Sequence, residues 1–147
     1  MIYMLHFHSH RFFKTYGLLI ARVFLGGMFF LAGVSKLIDV PGTTLYFSSA
    51  DLPAPMFLAL TIGILEVLSG GAVIIGRQIE RAALLLILIT LLITFALYGS
   101  STWVAQPLKH LVFLNNFAIV GGLLFVVAHG VGDSWSLGRR RKVTTNS

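Results

Sequence analysis

The chain contains no cysteine. That absence excludes disulfides, thiol redox chemistry, Cys-ligated zinc and iron–sulfur clusters together, so any electron chemistry here must run through a bound cofactor or a partner. Acids are almost as scarce, with five Asp and Glu against eleven Lys and Arg and a formal net charge of +6. Charged residues make up only 11% of the 147 residues and hydrophobic ones 56%, at a mean hydropathy of +0.89. This balance lies outside that of soluble domains and places a single domain in a lipid bilayer. The basic residues cluster beside hydrophobic runs, where they act as topology signals, so nucleic acid is not an expected partner. No phosphate loop, nucleotide fingerprint or Ser-His-Asp arrangement is present. Gly26-Gly27, Gly70-Gly71 and Gly121-Gly122 fall inside apolar runs, where close helix packing explains them.

What the chain does contain is four apolar runs of membrane-spanning length. Residues 1–15 carry His6, His8, His10, Arg11 and Lys14 and read as a cytoplasmic N-terminal segment. The run from Tyr16 to Ile38 is too long for the hydrophobic region of a signal peptide and is expected to be a retained first span. Asp39 to Pro55, with Pro41, Gly42, Pro53 and Pro55, reads as a polar loop with one short interfacial turn at Thr44 to Phe47. Spans are then expected at Ala54–Gly76, Ala82–Tyr98 and Leu108–Val131. Arg77 to Arg81 makes a tight helix–helix turn, Gly99 to Pro107 a loop with Trp103 as interfacial aromatic, and residues 139–147 a basic cytoplasmic tail. Arg11, Lys14, Arg77, Arg81 and the basic run Arg139 to Lys142 share one side, while Lys36 and Lys109 fall on the other. The expected fold is therefore an all-α, up-down-up-down four-transmembrane-helix bundle with both termini cytoplasmic.

Within that bundle Glu66 is the residue that most needs a partner, because an unpaired carboxylate in hydrocarbon costs at least about 2.5 to 3.5 kcal/mol. Steps of three and four along the first span give Arg22, Gly26, Phe29, Gly33 and Lys36. The same steps along the second give Ala59, Gly63, Glu66, Gly70, Val73 and Arg77. These stripes are expected to face each other, with Arg22 and Glu66 forming a buried charge pair that serves either as a proton relay or simply to set helix register. The third span carries Ala83, Ile87, Thr90, Thr94 and Tyr98 on one stripe, its threonines expected to bond back to their own backbone. On the fourth, Asn115 and Asn116 point different ways, and one of them alone can enter the bundle. Lys36, Tyr98, Lys109, Asn115 and Asn116 form a candidate outer pocket for an anionic or carbonyl-bearing headgroup; for each lysine the plainer alternative is snorkelling to the interface.

No metal site is assigned. His6, His8 and His10 would line up only in an extended segment and lack acidic partners, and His110 and His129 stand about 30 Å apart by helical rise.

One ordered set of short signals runs through the chain: Arg22, Gly33-Val34-Ser35-Lys36-Leu37, Leu52-Pro53, Glu66 with Gly70-Gly71 and Gly76, and Arg81-Ala82-Ala83. It continues with Asn116 before Gly121-Gly122-Leu123-Leu124, Gly130-Val131-Gly132 and Trp135-Ser136-Leu137. Across residues 16–138 this resembles the DoxX family of small bacterial inner-membrane proteins. Two departures stand out: Asn115-Asn116 where members often have Lys-Asn, and Ser136-Leu137-Gly138 where they often have Ser-Leu-Asp. The first weakens any charged pocket carried over onto the fourth span, though Lys109 is a stand-in. The resemblance implies a multi-pass inner-membrane subunit, linked in related proteins to thiosulfate:quinone oxidoreductase and to complexes handling oxidative or sulfur stress. On that reading Lys36, Asn115 and Asn116 are expected to bind a quinone headgroup or another polar ligand near the outer side, and a soluble or membrane redox partner is expected. Two other classes stay open, a non-catalytic scaffold or assembly protein and a small-solute or proton-coupled carrier, and so does a homo-oligomer.

Overall fold

A computed structural model of the chain describes residues 2–99 and 107–130, with side chains from Tyr16 onward except that of Pro107. Five helices follow one another: α1 Ile2–Ile38, α2 Val40–Ser48, α3 Pro55–Ile75, α4 Ile79–Tyr98 and α5 Pro107–His129. Four stretches are long and apolar enough to cross a membrane, namely Tyr16–Ile38 within α1, all of α3, all of α4, and Leu108–His129 within α5. Among the described residues there is no strand. Trp103 and the basic tail lie outside the described residues.

Several expected boundaries move. α1 is already helical at Ile2, while the candidate span within it runs from Tyr16 to Ile38 as expected; a helical backbone does not give the extended row of His6, His8 and His10. The loop after the first span is also more ordered than a single turn. Asp39 caps α2, its carboxylate accepting from the Gly42 amide at 2.9 Å, with Pro41 in the first turn where a missing N–H costs nothing. Phe47 then anchors this helix, 2% exposed among Ala59, Ile62, Ile89 and Leu97.

The turn between α3 and α4 is tight, as expected. Gly76 closes α3 at φ 84°, and the amides of Gly76 and Arg77 both donate to the Ala72 carbonyl. α4 begins at Ile79, three residues before the apolar run suggests, because Ile79 itself is buried in the core.

The helices form a ring, α3–α1–α5–α4, closed by α4 against α3, with α2 laid over α3. The antiparallel α1–α3 seam is the most extensive, and glycine is the reason. A β-carbon on Gly70 would stand 2.7 Å from the Gly26 carbonyl oxygen, and one on Gly33 2.6 Å from that of Gly63. Backbones meet directly there, which is how helices gain contact when lipid competes for every apolar side chain. Along the α4–α5 seam Phe95 meets Phe113 and Phe117 edge-on, with centroids 5.8 and 6.1 Å apart. The α1–α5 seam is the loosest of the four.

The core has two apolar halves. One, toward the terminal end of the bundle, holds Phe29, Val73, Ala83, Leu86, Leu123 and Val126. The other, under α2, holds Phe47, Ala59, Ile62, Ile89 and Leu97. Glu66 falls between Ile62 and Val73 along α3, so the chain's buried acid lies between the two halves.

A buried lysine–glutamate pair as candidate functional site

Glu66 is paired, but with a different cation from the one its stripe suggests. Lys36 Nζ lies 2.6 Å from Glu66 Oε2 and also donates to the Ala32 carbonyl at 3.4 Å. Arg22 does not reach Glu66. Its Nε donates to the Val73 carbonyl at 3.2 Å and one terminal nitrogen to that of Ile74 at 3.3 Å, leaving the side chain 1% exposed. The Arg22–Glu66 pair and a relay through it are therefore corrected.

The reason is the direction of helical side chains, which lean toward the N-terminus of their own helix. Gly26 faces Gly70 and Gly33 faces Gly63, so Arg22 starts level with Ile74, two turns nearer the terminal end than Glu66. From there it leans further toward that end, away from the acid. Lys36 starts on the other side of Glu66 and leans back toward it, while Glu66 on the antiparallel helix leans the opposite way. The two meet in between.

Arg22 instead serves the end of α3. The last carbonyls of a helix have no partner within it and carry its negative pole. The Ala72 carbonyl is taken by the turn amides and those of Val73 and Ile74 by Arg22. The guanidinium is thus held by carbonyls, with two of them meeting its planar fork of donors.

The other pocket residues do not gather around Lys36. Asn116 enters the bundle and donates to the Thr94 hydroxyl at 2.8 Å; Thr94 and Thr90 each donate back to the carbonyl four residues earlier. Tyr98 lies at the α2 end, its hydroxyl 2.8 Å from that of Tyr46, tying α4 to α2. Lys109 is half-buried on the stripe of Asn116 that faces α4, and among the described residues no hydrogen bond or ion pair joins it to Lys36. Asn115 is exposed and takes part in none of the described residues' hydrogen bonds. Tyr46 carries no charge pattern, and its signal is the capped start Asp39-Val40-Pro41-Gly42 that places a helix where a loop is expected.

The pair could hold a polar group. An ammonium has three N–H donors, and two of those on Lys36 are engaged. Its side chain is 24% exposed while that of Glu66 is 8%, so the lysine faces an opening and the acid anchors it from behind. Among the described residues no group of three His, Asp or Glu stands close enough to hold a metal ion.

The family model described as DoxX matches residues 17–99, more than half of the chain and the whole of the Arg22, Lys36 and Glu66 arrangement. The chain belongs to the DoxX family. The DoxX protein is 29% identical to "Inner membrane protein YqjF" of Escherichia coli (strain K12) over 116 residues, 79% of this chain and 85% of the relative. It is 31% identical to "Inner membrane protein YphA" of the same organism over 127 residues, 84% of this chain and 89% of the relative. No solved structure matches it. With four spans of its own, it is a multi-pass protein of the bacterial inner membrane in contact with the lipid bilayer. Asn115, Asn116 and Gly121-Gly122 lie beyond the stretch the family model matches.

Proposed function

We propose that this DoxX protein is the membrane subunit of a quinone-linked redox system, of the kind that handles oxidative or sulfur stress, and that the Lys36–Glu66 pair holds the quinone headgroup. The observation that carries this reading is the half-open ion pair inside the bundle. Among the described residues Lys36 keeps one N–H free for a carbonyl oxygen, and Glu66 fixes where that N–H points. A carbonyl so bound is the better electron acceptor, because a cation beside it stabilises the negative charge that reduction develops. With no cysteine in the chain, electrons must come from a redox partner, either soluble or in the membrane. The basic residues Arg77 and Arg81, at the same end of the bundle as the start of α1, support a cytoplasmic side for that end.

A second reading has its own support. Arg22 capping α3 and the glycine seam between α1 and α3 are purely architectural, and a scaffold would need nothing more of Lys36 and Glu66 than to join the same seam. The test is mass spectrometry of lipids extracted from the purified full-length protein, together with binding of ubiquinone-1 in nanodiscs. A native quinone in the wild-type protein that is absent from Lys36→Met supports the redox subunit. Wild-type protein that carries no quinone and does not bind ubiquinone-1 leaves the scaffold. The same preparation, sized in detergent, reads whether the protein is a homo-oligomer.

A further inference from the structure

We infer that the seam between α1 and α5 is a side entrance from the lipid to the Lys36–Glu66 pair, and that Asn115 stands at its mouth as the second hydrogen-bonding residue for an incoming headgroup. The inference rests on the headgroup reading for its ligand, but the entrance is argued from the helices themselves.

The two helices are in register at one point. A β-carbon on Gly122 would lie 3.3 Å from Leu25 Cδ1, so Gly122 faces α1 and Leu25 faces α5. Asn115 stands two turns before Gly122 on the same side of α5, while Phe29, Ala32 and Lys36 follow Leu25 at steps of four, three and four on the same side of α1. Because the helices are antiparallel, Ala32 comes level with Asn115. Lys36 leans back to that level, where its ammonium meets the Ala32 carbonyl.

Burial along the seam changes from one end to the other. Toward the terminal end it is filled, with Leu18 8% and Phe29 6% exposed on α1 and Leu123 and Val126 fully buried on α5. Past Phe29 the sides fall open: Ala32 and Lys36 are half-buried and Asn115 exposed. Phe29 is thus a floor, and above it two donors unfilled among the described residues, one ammonium N–H and one amide NH2, border the same gap. An amide left bare at that depth is costly in hydrocarbon, so it has a use for an acceptor that enters from the lipid. A molecule with an apolar tail and one or two carbonyl oxygens fits both donors and the route.

The absence of native cysteine makes the test direct. In nanodiscs, full-length Ala32→Cys protein is labelled with the lipid-soluble reagent pyrene maleimide, alone and combined with Asn115→Trp or with Leu124→Trp, which lies on the opposite side of α5. Phe24→Cys, on exposed α1 surface, checks that the reagent is equally available in each background, and thermal unfolding of each variant checks that it is folded. The entrance requires labelling at position 32 to slow about tenfold with Asn115→Trp and to be unchanged with Leu124→Trp. Equal rates in all three backgrounds, or equal slowing by both tryptophans, overturn it. Ubiquinone-1 supplies the second arm: Asn115→Leu weakens its affinity about fivefold, one hydrogen bond's worth, and unchanged affinity removes Asn115 from recognition. Should position 32 behave as required while wild-type protein ignores ubiquinone-1, the entrance stands and the quinone reading falls. Binding without the position-32 effect does the reverse.

Discussion

Lys36 and Glu66 sit on antiparallel helices at different heights and still close to 2.6 Å, because each side chain leans toward the other's level. Glu66 is only 6% exposed, so removing the lysine strands a buried carboxylate without its cation. Lys36→Met is expected to destabilise the protein by about 3 kcal/mol, and Lys36→Met combined with Glu66→Leu to recover most of that, since the cost lies in the unpaired charge rather than in losing the pair. Unfolding by steric trapping in bicelles measures both. A double variant as unstable as the single one would show that the pair contributes more than charge neutrality.

Arg22 makes a separable prediction. Arg22→Met bares two carbonyls at the end of α3 and takes a positive charge from its negative pole, a loss of about 2–3 kcal/mol. Arg22→Lys keeps the charge but cannot fork to both carbonyls, so it recovers part of the loss and no more. Because the guanidinium does not touch Glu66, ubiquinone-1 affinity in folded Arg22→Lys stays at the wild-type value. A fall in affinity comparable to that of Lys36→Met would put Arg22 back in the site.

These two arginine and lysine outcomes show what was legible in the sequence. Four spans, their order, the glycine stripes and the need for a cation opposite Glu66 all follow from spacing and composition, which is where helical periodicity and the cost of a charge in lipid leave their mark. Which cation it is does not follow from stripe position alone. Arg22 and Lys36 share the stripe, and depth counted from span ends misses two things: the register fixed by glycine contacts and the lean of each side chain. Asn115 and Asn116 are adjacent, so spacing says that one enters and is silent on which. α2 is hidden for another reason: Pro41 and Gly42 read as breakers, yet in a capped first turn they start a helix.

The glycine seam predicts a contrast within one residue type. Gly70→Ala would press a methyl to 2.7 Å from both the Gly26 oxygen and the Phe30 nitrogen, all of them backbone atoms that cannot swing away. A cost of about 2–3 kcal/mol is expected from forcing α1 and α3 apart. Gly121→Ala meets nothing within 4 Å and gains helix propensity, so it is neutral or stabilising by up to about 1 kcal/mol. Thermal unfolding in detergent separates the two; equal effects would mean that the seam is looser than its glycines imply.

The bond from Asn116 to Thr94 joins α4 and α5, and its strength can be argued from what each partner keeps when the other goes. In Thr94→Val the asparagine loses its acceptor, whereas in Asn116→Leu the threonine hydroxyl still donates to the Thr90 carbonyl. The asparagine variant therefore leaves nothing unsatisfied and is expected to be the milder of the two. Coupling between them in a double-variant cycle should be about 0.6 kcal/mol, the usual value for a hydrogen bond between helices in lipid, where unfolded segments also find partners. Lys36 does not touch either residue, so both variants should keep ubiquinone-1 affinity. Loss of that affinity in Asn116→Leu alone would extend the headgroup site from the α1 side of the bundle across to α5's inner face.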